Sequence, residues 1–451
     1  MQRSRLSRRR FLKTGAATAG LVAGAPYIKA GYSAGRLVLG VWDHWVPGAN
    51  EVLERLCTDW GNANNVEVQV DFITSIGNKL LLTAQAETRA KTGHDIYSVP
   101  LWMPSLFSNS LEPMDDVMAE IVSRNGEPVP VVEHLTRFDD VWRAVPAPTG
   151  SLTFAQASRV DLFAEHAGID LKAMFPADGS AREAALVDSW TYDAFLAAAG
   201  KLHAAGHQFG APIAVTPDAT QWLAMIFTGF GAVVIDGDGE IQVDSDETRM
   251  ALEYLSQLVS YMPEGVYAWD DAGNNRWLIS GTGSCIFNPP SAWAVAKRDN
   301  PDVAAQVWYH DTPKGPKGRF RSGAPFFWGA WNFSENMGAA KDLLLHMNSA
   351  EVVSEMLKAS QGFDLPLYPK WYTTNDVWDQ ATPPDGVLHN YPILGDEVQM
   401  VPGIPAPPSM ATQITTQGLF PNLVARVTQR GESMDDAISW AENELEGYLR
   451  R

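Results

Sequence analysis

Cysteine is nearly missing from this sequence: Cys57 and Cys285 are the only two, and they lie far apart in the chain. That excludes a scaffold stapled by several disulfides and a zinc site built from cysteine clusters, and leaves open whether the two pair. No stretch reaches the roughly 18 uninterrupted apolar residues that a membrane-spanning helix needs. Basic residues are scarce too, with 34 Lys and Arg against 53 Asp and Glu, for a formal charge of −19. Phosphate backbones are held by clustered lysine and arginine, so nucleic acid is excluded as a partner. Tryptophan, by contrast, is abundant, 16 in 451 residues that are 45% hydrophobic. This composition is globular, and the chain is longer than the about 250–300 residues at which single cores stop growing, so at least two cores are expected.

A concentration of the few basic residues marks the start of the chain. Ser7-Arg8-Arg9-Arg10-Phe11-Leu12-Lys13 precedes a mildly apolar Ala/Gly run over 14–25 and small-residue cleavage positions near Ala30 and Ala34. Residues 1–30 therefore read as a signal peptide. Arg8 and Arg9, with Phe11 and Leu12 behind them, resemble the twin-arginine export signal, which moves folded chains out of the cytoplasm. A basic cytoplasmic arm would not need an apolar run and a processing site after it, and no cysteine follows the run to carry a lipid. Removing 1–30 deletes Arg3, Arg5, Arg8, Arg9, Arg10, Lys13 and Lys29 and no acid, so the remainder is more acidic still. The expected compartment is the periplasm.

Behind the signal, 37–41 is an apolar strand, and Val52, Leu53, Leu56 and Trp60 share one helical face. Val66, Val68, Val70 and Phe72 alternate as a second strand, 79–90 reads as a helix and 95–99 as a third strand, an order that implies a parallel sheet. The Pro/Gly-rich 146–150 reads as a linker between two α/β lobes. Beyond it come a helix bearing Phe195, Leu196, Ala199 and Leu202, a short strand at 212–215, a hairpin around Asp236-Gly237-Asp238-Gly239, and a helix started by Ser245. Residues 312–323 read as loop and 361–408 as mostly loop. Ser433 and Asp436 form a capping box for a C-terminal helix.

Trp42-Asp43-His44-Trp45 stands at the carboxyl end of the first strand, where open α/β sheets bind ligands. Indole faces cover the C–H face of a sugar ring while Asp43 and His44 can bond to hydroxyls; the alternative is that both tryptophans cap the sheet as core. Trp102, after the third strand, is similarly placed. Further candidates at lobe edges are Asp218, Trp222, Asn288, Trp293, Trp328 and Trp331, the last two also readable as strand packing. Trp60, Trp190 and Trp440 fit core positions. His203 and His207 are four apart, but Gly206 breaks the helix and no His-Glu-x-x-His pattern exists, so no metal is expected. Ile241 occupies the glycine position that a calcium loop starting at Asp236 would need. The loop Gly315-Pro316-Lys317-Gly318-Arg319 lacks the Gly-Lys-Ser/Thr ending of a phosphate loop, so no nucleotide is expected.

In sequence order, these elements resemble the family 1 extracellular solute-binding proteins, the receptors of ABC importers that mostly take up sugars and polyols. The resemblance runs over nearly the whole chain after the signal. Its landmarks are the first strand opening into Trp42-Asp43-His44-Trp45, and Gly93-His94-Asp95-Ile96-Tyr97, with His94 where the family commonly has proline. Ser158-Arg159-Val160-Asp161-Leu162-Phe163 before Ala167-Gly168-Ile169 lacks the usual Tyr-Asn. Ser189-Trp190-Thr191-Tyr192-Asp193-Ala194-Phe195 and the 280–287 strand complete the order, and Trp293 is similar to the aromatic that follows this strand in sugar receptors.

The resemblance implies a two-lobed periplasmic-binding-protein fold, α/β in class, with a hinge and an interlobe ligand cleft. The first lobe would take 31–147 with about 303–347, and the second 148–302 with about 348–451. It also implies a monomer without cofactor or catalytic residues, whose partners are a sugar or polyol and the permease subunits of an ABC importer. The rival expectation is a secreted carbohydrate-active enzyme, although no specific carboxylate pair and no Gly-x-Ser-x-Gly elbow is present. A receptor for a non-sugar solute is the remaining alternative.

Overall fold

The computed structural model describes residues 35–176, 181–373 and 398–449, so the export signal at Arg8 and Arg9 lies outside it. In chain order, the strands that build its two larger sheets are β1 (Gly35–Trp42), β2 (Val66–Ile73), β3 (Ile96–Ser98), β4 (Val145–Phe154), β5 (Gln156–Arg159), β6 (Cys285–Phe287), β7 (Val307–His310), β8 (Phe320–Ala330) and β9 (Val398–Gln399). The first sheet runs β9-β8-β3-β1-β2, with β4 also paired to β8. β1 lies parallel to β2, from Gly35 opposite Val66 to Trp42 opposite Ile73, and parallel to β3. β8 enters antiparallel to both β3 and β4. The second sheet is β6-β5-β7, antiparallel throughout.

Each sheet is covered by helices whose apolar residues recur at helical spacing. The Ala49–Asn64 helix buries Leu53, Leu56, Cys57 and Trp60 against the first sheet. On the second side, the Tyr192–Ala204 helix buries Phe195, Ala199 and Leu202, and the Asp246–Ser260 helix buries Leu252, Leu255 and Leu258. Both are capped by hydroxyls: Thr191 accepts from the Ala194 N–H and Ser245 from the Thr248 N–H. Ser433 likewise accepts from the Asp436 N–H at the start of the Met434–Leu449 helix.

Two predicted boundaries change. The expected linker at 146–150 is strand: Pro146 pairs with Phe327 and Gly150 with Pro325 inside β4. Among the described residues β8 is the only strand paired with β4, and a strand with one partner tolerates prolines that cannot donate to a ladder. The lobes also exchange segments differently from expectation. β7, placed by sequence in the first lobe, pairs with β5 of the second sheet, while the Ala350–Ala359 helix packs on the Ala49–Asn64 helix and β4 of the first. Residues 212–215 form no strand.

Among the described residues, three segments connect the lobes. Phe154-Ala155-Gln156 joins β4 to β5, the stretch between His310 and Phe320 joins β7 to β8, and residues after β9 lead to the Pro408–Thr416 helix. The second crossing carries a buried ionic cluster. Arg182 donates to Asp311 at 3.2 Å, Arg321 lies 4.0 Å from it, and Arg319 donates to the Val187 carbonyl at 2.8 Å. Burial pushes the Asp311 carboxyl up, but the guanidinium groups of Arg182, Arg321 and Arg319 outweigh it and hold it below the usual range. Cys57 and Cys285 are both free and buried, one on the Ala49–Asn64 helix against the first sheet and one within β6 of the second, and burial pushes each thiol up to about 12.

Candidate functional site

A cleft with a cavity volume of about 200 Å³ lies at the carboxyl ends of β1 and β3, between the two sheets. Its two walls differ in chemistry. The first-sheet side presents Trp42, Trp45, Trp102, Phe326 and Phe363. Trp42 ends β1 and packs against Phe326 at 4.7 Å and Phe363 at 5.6 Å between ring centroids. Phe326 is turned into the cleft by irregular pairing of β8 with β4 between Pro325 and Phe327. Leu101, at φ 52°, holds a left-handed turn that a bulky residue adopts only under constraint, and it is followed by the buried Trp102 of the cleft lining. The Trp102 indole N–H donates to the Pro402 carbonyl at 2.7 Å, tying this wall to the third crossing.

The second-sheet side is polar. The Pro217–Phe230 helix starts with proline at its first position and with Thr216 accepting from the Ala219 N–H at 3.1 Å. It turns Asp218, Thr220 and Gln221 toward the cleft and Trp222 away from it. Asp271 precedes the short Gly273–Ile279 helix, which supplies Asn275. Asn288 follows β6 and donates to Ser291 at 3.1 Å and to Asn275, so amide and hydroxyl groups are held as one cluster.

Asp218 and Asp271 stand side by side. The Asp218 N–H points to an Asp271 carboxylate oxygen at 3.4 Å, and the Asn274 amide donates to Asp218 at 2.9 Å. Burial, then the neighbouring Asp271 charge, drives the Asp218 carboxyl well above its usual range. Burial lifts Asp271 to about 6, with Asp270 adding to it and hydrogen bonds from Asp218 and Thr216 opposing it. Among the described residues, no lysine, arginine or histidine lines the cleft.

Of the residues singled out in the sequence, Trp42, Trp45, Trp102, Asp218 and Asn288 converge here. The others are placed elsewhere, each for a physical reason. Asp43 is exposed and accepts from the Asn50 side chain at 2.7 Å, organising the turn into the first helix. His44 is buried behind Trp42: its Nδ1 accepts from the Val46 N–H, so Nε2–H donates to Asp364 at 3.1 Å. Trp222 donates to the Pro212 carbonyl and stacks near Phe287 in the second core. Trp293 is buried with Lys297 over its ring at 4.7 Å. Trp328 is buried within β8, and Trp331 donates to Glu87 at 2.9 Å among Tyr97, Phe107 and Phe333. Sequence reasoning missed Gln221, Asp271, Asn275, Phe326 and Phe363. The Asp270-Asp271 pair before a helix was a usable signal for one of them.

A family model described as bacterial extracellular solute-binding protein matches residues 56–384. The chain belongs to this family. Three solved structures illustrate how such extracellular solute-binding proteins share its two-lobed fold. They are maltose-bound MalE3 of T. maritima (19% identity, 92% of this chain and 99% of that one, TM-score 0.74), an ABC transporter solute-binding protein of Thermotoga lettingae bound with α-D-tagatose (16%, 92% and 100%, 0.72), and one of Agrobacterium vitis with bound D-mannitol (18%, 92% and 99%, 0.67). No curated protein sequence matches the chain. A solute-binding protein acts by capture rather than turnover, and this family works on the outer side of the cell membrane.

Proposed function

We propose that the protein is a periplasmic receptor that captures a sugar, oligosaccharide or polyol in the interlobe cleft and hands it to the permease of an ABC importer. The observation that carries this is the division of labour in the cleft: flat indole and phenyl faces on one side, carboxylates, amides and hydroxyls on the other. A pyranose or polyol has the matching halves, C–H faces and hydroxyl edges. The ligands in the similar structures, maltose, tagatose and mannitol, belong to the same chemical class. Calorimetric titration with a panel of neutral and amino-substituted sugars and polyols is expected to give saturable binding of at least one member without any product. Turnover of a bound sugar would overturn the receptor reading. Geometry weighs against turnover as well: the two carboxylates of the cleft rise from one wall, whereas glycoside hydrolysis needs them flanking the scissile bond.

The export route follows from the first thirty residues. Arg8 and Arg9 replaced by lysine are expected to leave precursor in the cytoplasm, checked by cell fractionation, because the guanidinium pair is the feature read by twin-arginine translocation. The receptor is proposed to work as a monomer, like a single hinged clamp.

A further inference from the structure

The second wall of the cleft holds two neighbouring carboxyls without a protein cation beside them. The Asp218 backbone N–H reaches an Asp271 carboxylate oxygen, and the nearby Arg276 does not relieve the pair, being taken up by Asp270 at 2.6 Å on the exposed side. Enclosed carboxylates are ordinarily neutralised by a paired cation, a metal or a proton. Among the described residues, no group of three His, Cys, Asp or Glu could hold a metal ion. A neutral hydroxyl can donate to each carboxylate yet leaves their charge uncancelled, whereas an ammonium group offers three donors and the missing positive charge. The opposite wall suits a cation as well, since half-buried Trp45 brings to it an indole whose ring face carries negative potential.

We infer that the cleft takes a polyhydroxylated ligand carrying a protonated amine, seated with its ammonium against Asp218 and Asp271. The inference rests on the sugar-or-polyol reading of the same cleft and narrows it. Helix geometry adds to the case: Asp218 sits in the first turn of the Pro217–Phe230 helix, whose N-terminal dipole favours its charged form once a cation arrives. Burial, by contrast, holds protons on the empty pair, so ligand arrival and proton release are coupled.

Matched pairs test this on the processed protein: glucosamine against glucose, galactosamine against galactose, and 1-amino-1-deoxysorbitol against sorbitol, read by thermal shift at pH 7.0 and titrated by calorimetry. The expected result is that the amino member of at least one pair binds about tenfold or more tightly than its neutral twin. That ligand should lose about tenfold or more in affinity in Asp271→Asn and in Asp218→Asn, and between pH 7.0 and pH 5.0, where Asp271 takes up its proton. Circular dichroism and melting of both variants report their folding. Neutral twins binding as tightly as the amines would overturn the ammonium assignment and leave the receptor reading intact. Amine binding unchanged in both folded variants would overturn the seat at the two aspartates. No binding by any neutral or amino member would overturn both readings together.

Discussion

Trp45 and Trp293 show how little residue type decides by itself. Both follow the end of a strand, yet Trp45 is half-buried at the cleft and Trp293 is enclosed beneath Lys297. Trp45→Ala is expected to weaken ligand binding about threefold to tenfold, an aromatic contact being worth about 0.5–1.5 kcal/mol beyond burial, with little change in melting temperature. Trp293→Ala is expected to do the reverse, costing about 3–5 kcal/mol of stability, with calorimetric affinity per folded molecule unchanged. Asp271 carries a different signature. Its folded-state value of about 6 lies above that of the unfolded chain, so the native state holds the proton more tightly and loses stability as pH rises from about 4 through 6. Asp271→Asn is therefore expected to raise the melting temperature of the empty protein at pH 7–8, with the gain vanishing near pH 4. Trp42, Trp45 and Trp102 were legible because parallel strands deliver the residues after their carboxyl ends to one edge. Gln221 and Asn275 were not, because which face of a buried helix looks into a cleft is decided by tertiary packing. The same packing turned Trp222, next to Gln221, into the core.

At the scale of elements, the strand β4 shows where local composition misleads. Its Pro/Gly content signals a turn in isolation, but pairing with β8 on one side absorbs the prolines, and Gly150, at φ 107°, uses the one residue type that adopts this backbone freely. A side chain there would meet the Phe326 backbone nitrogen at 2.7 Å. The Gly150 N–H also donates at 2.8 Å to Asp364, the acceptor of His44. Gly150→Ala is thus expected to lose about 1–3 kcal/mol in urea unfolding and, by displacing Phe326 from the cleft wall, to weaken binding as well. The helices and the β1-β2-β3 order follow directly from apolar periodicity. The destination of β7 does not, because a short apolar strand pairs equally well in either sheet until chain geometry chooses.

For the whole molecule, the walls of the cleft come from segments as distant as Trp42 and Thr416, and three chain crossings hold them face to face. Ser322 of β8 already reaches Gln221 on the polar wall, and a ligand held between the walls adds contacts to both, so occupancy favours the arrangement in which both touch it. Small-angle scattering at saturating ligand is expected to show a smaller radius of gyration than the empty protein, and no compaction would argue for a rigid cleft. This bipartite site was only half legible, since its aromatic side lies at strand ends in regular order whereas its polar side is assembled from loops and helix starts.

The grouping of Trp42, Trp45 and Trp102 on one wall has an optical consequence. Indole emission shifts to shorter wavelength when water leaves its surroundings, and a carboxylate or ammonium brought close changes its yield. Trp45, half-buried at the rim, is the chromophore whose surroundings a ligand changes most, while buried indoles such as Trp190 and Trp222 supply a constant background. The protein thus carries its own intrinsic fluorescent gauge of occupancy, and Trp45→Phe should silence that gauge while leaving an aromatic face for the ligand.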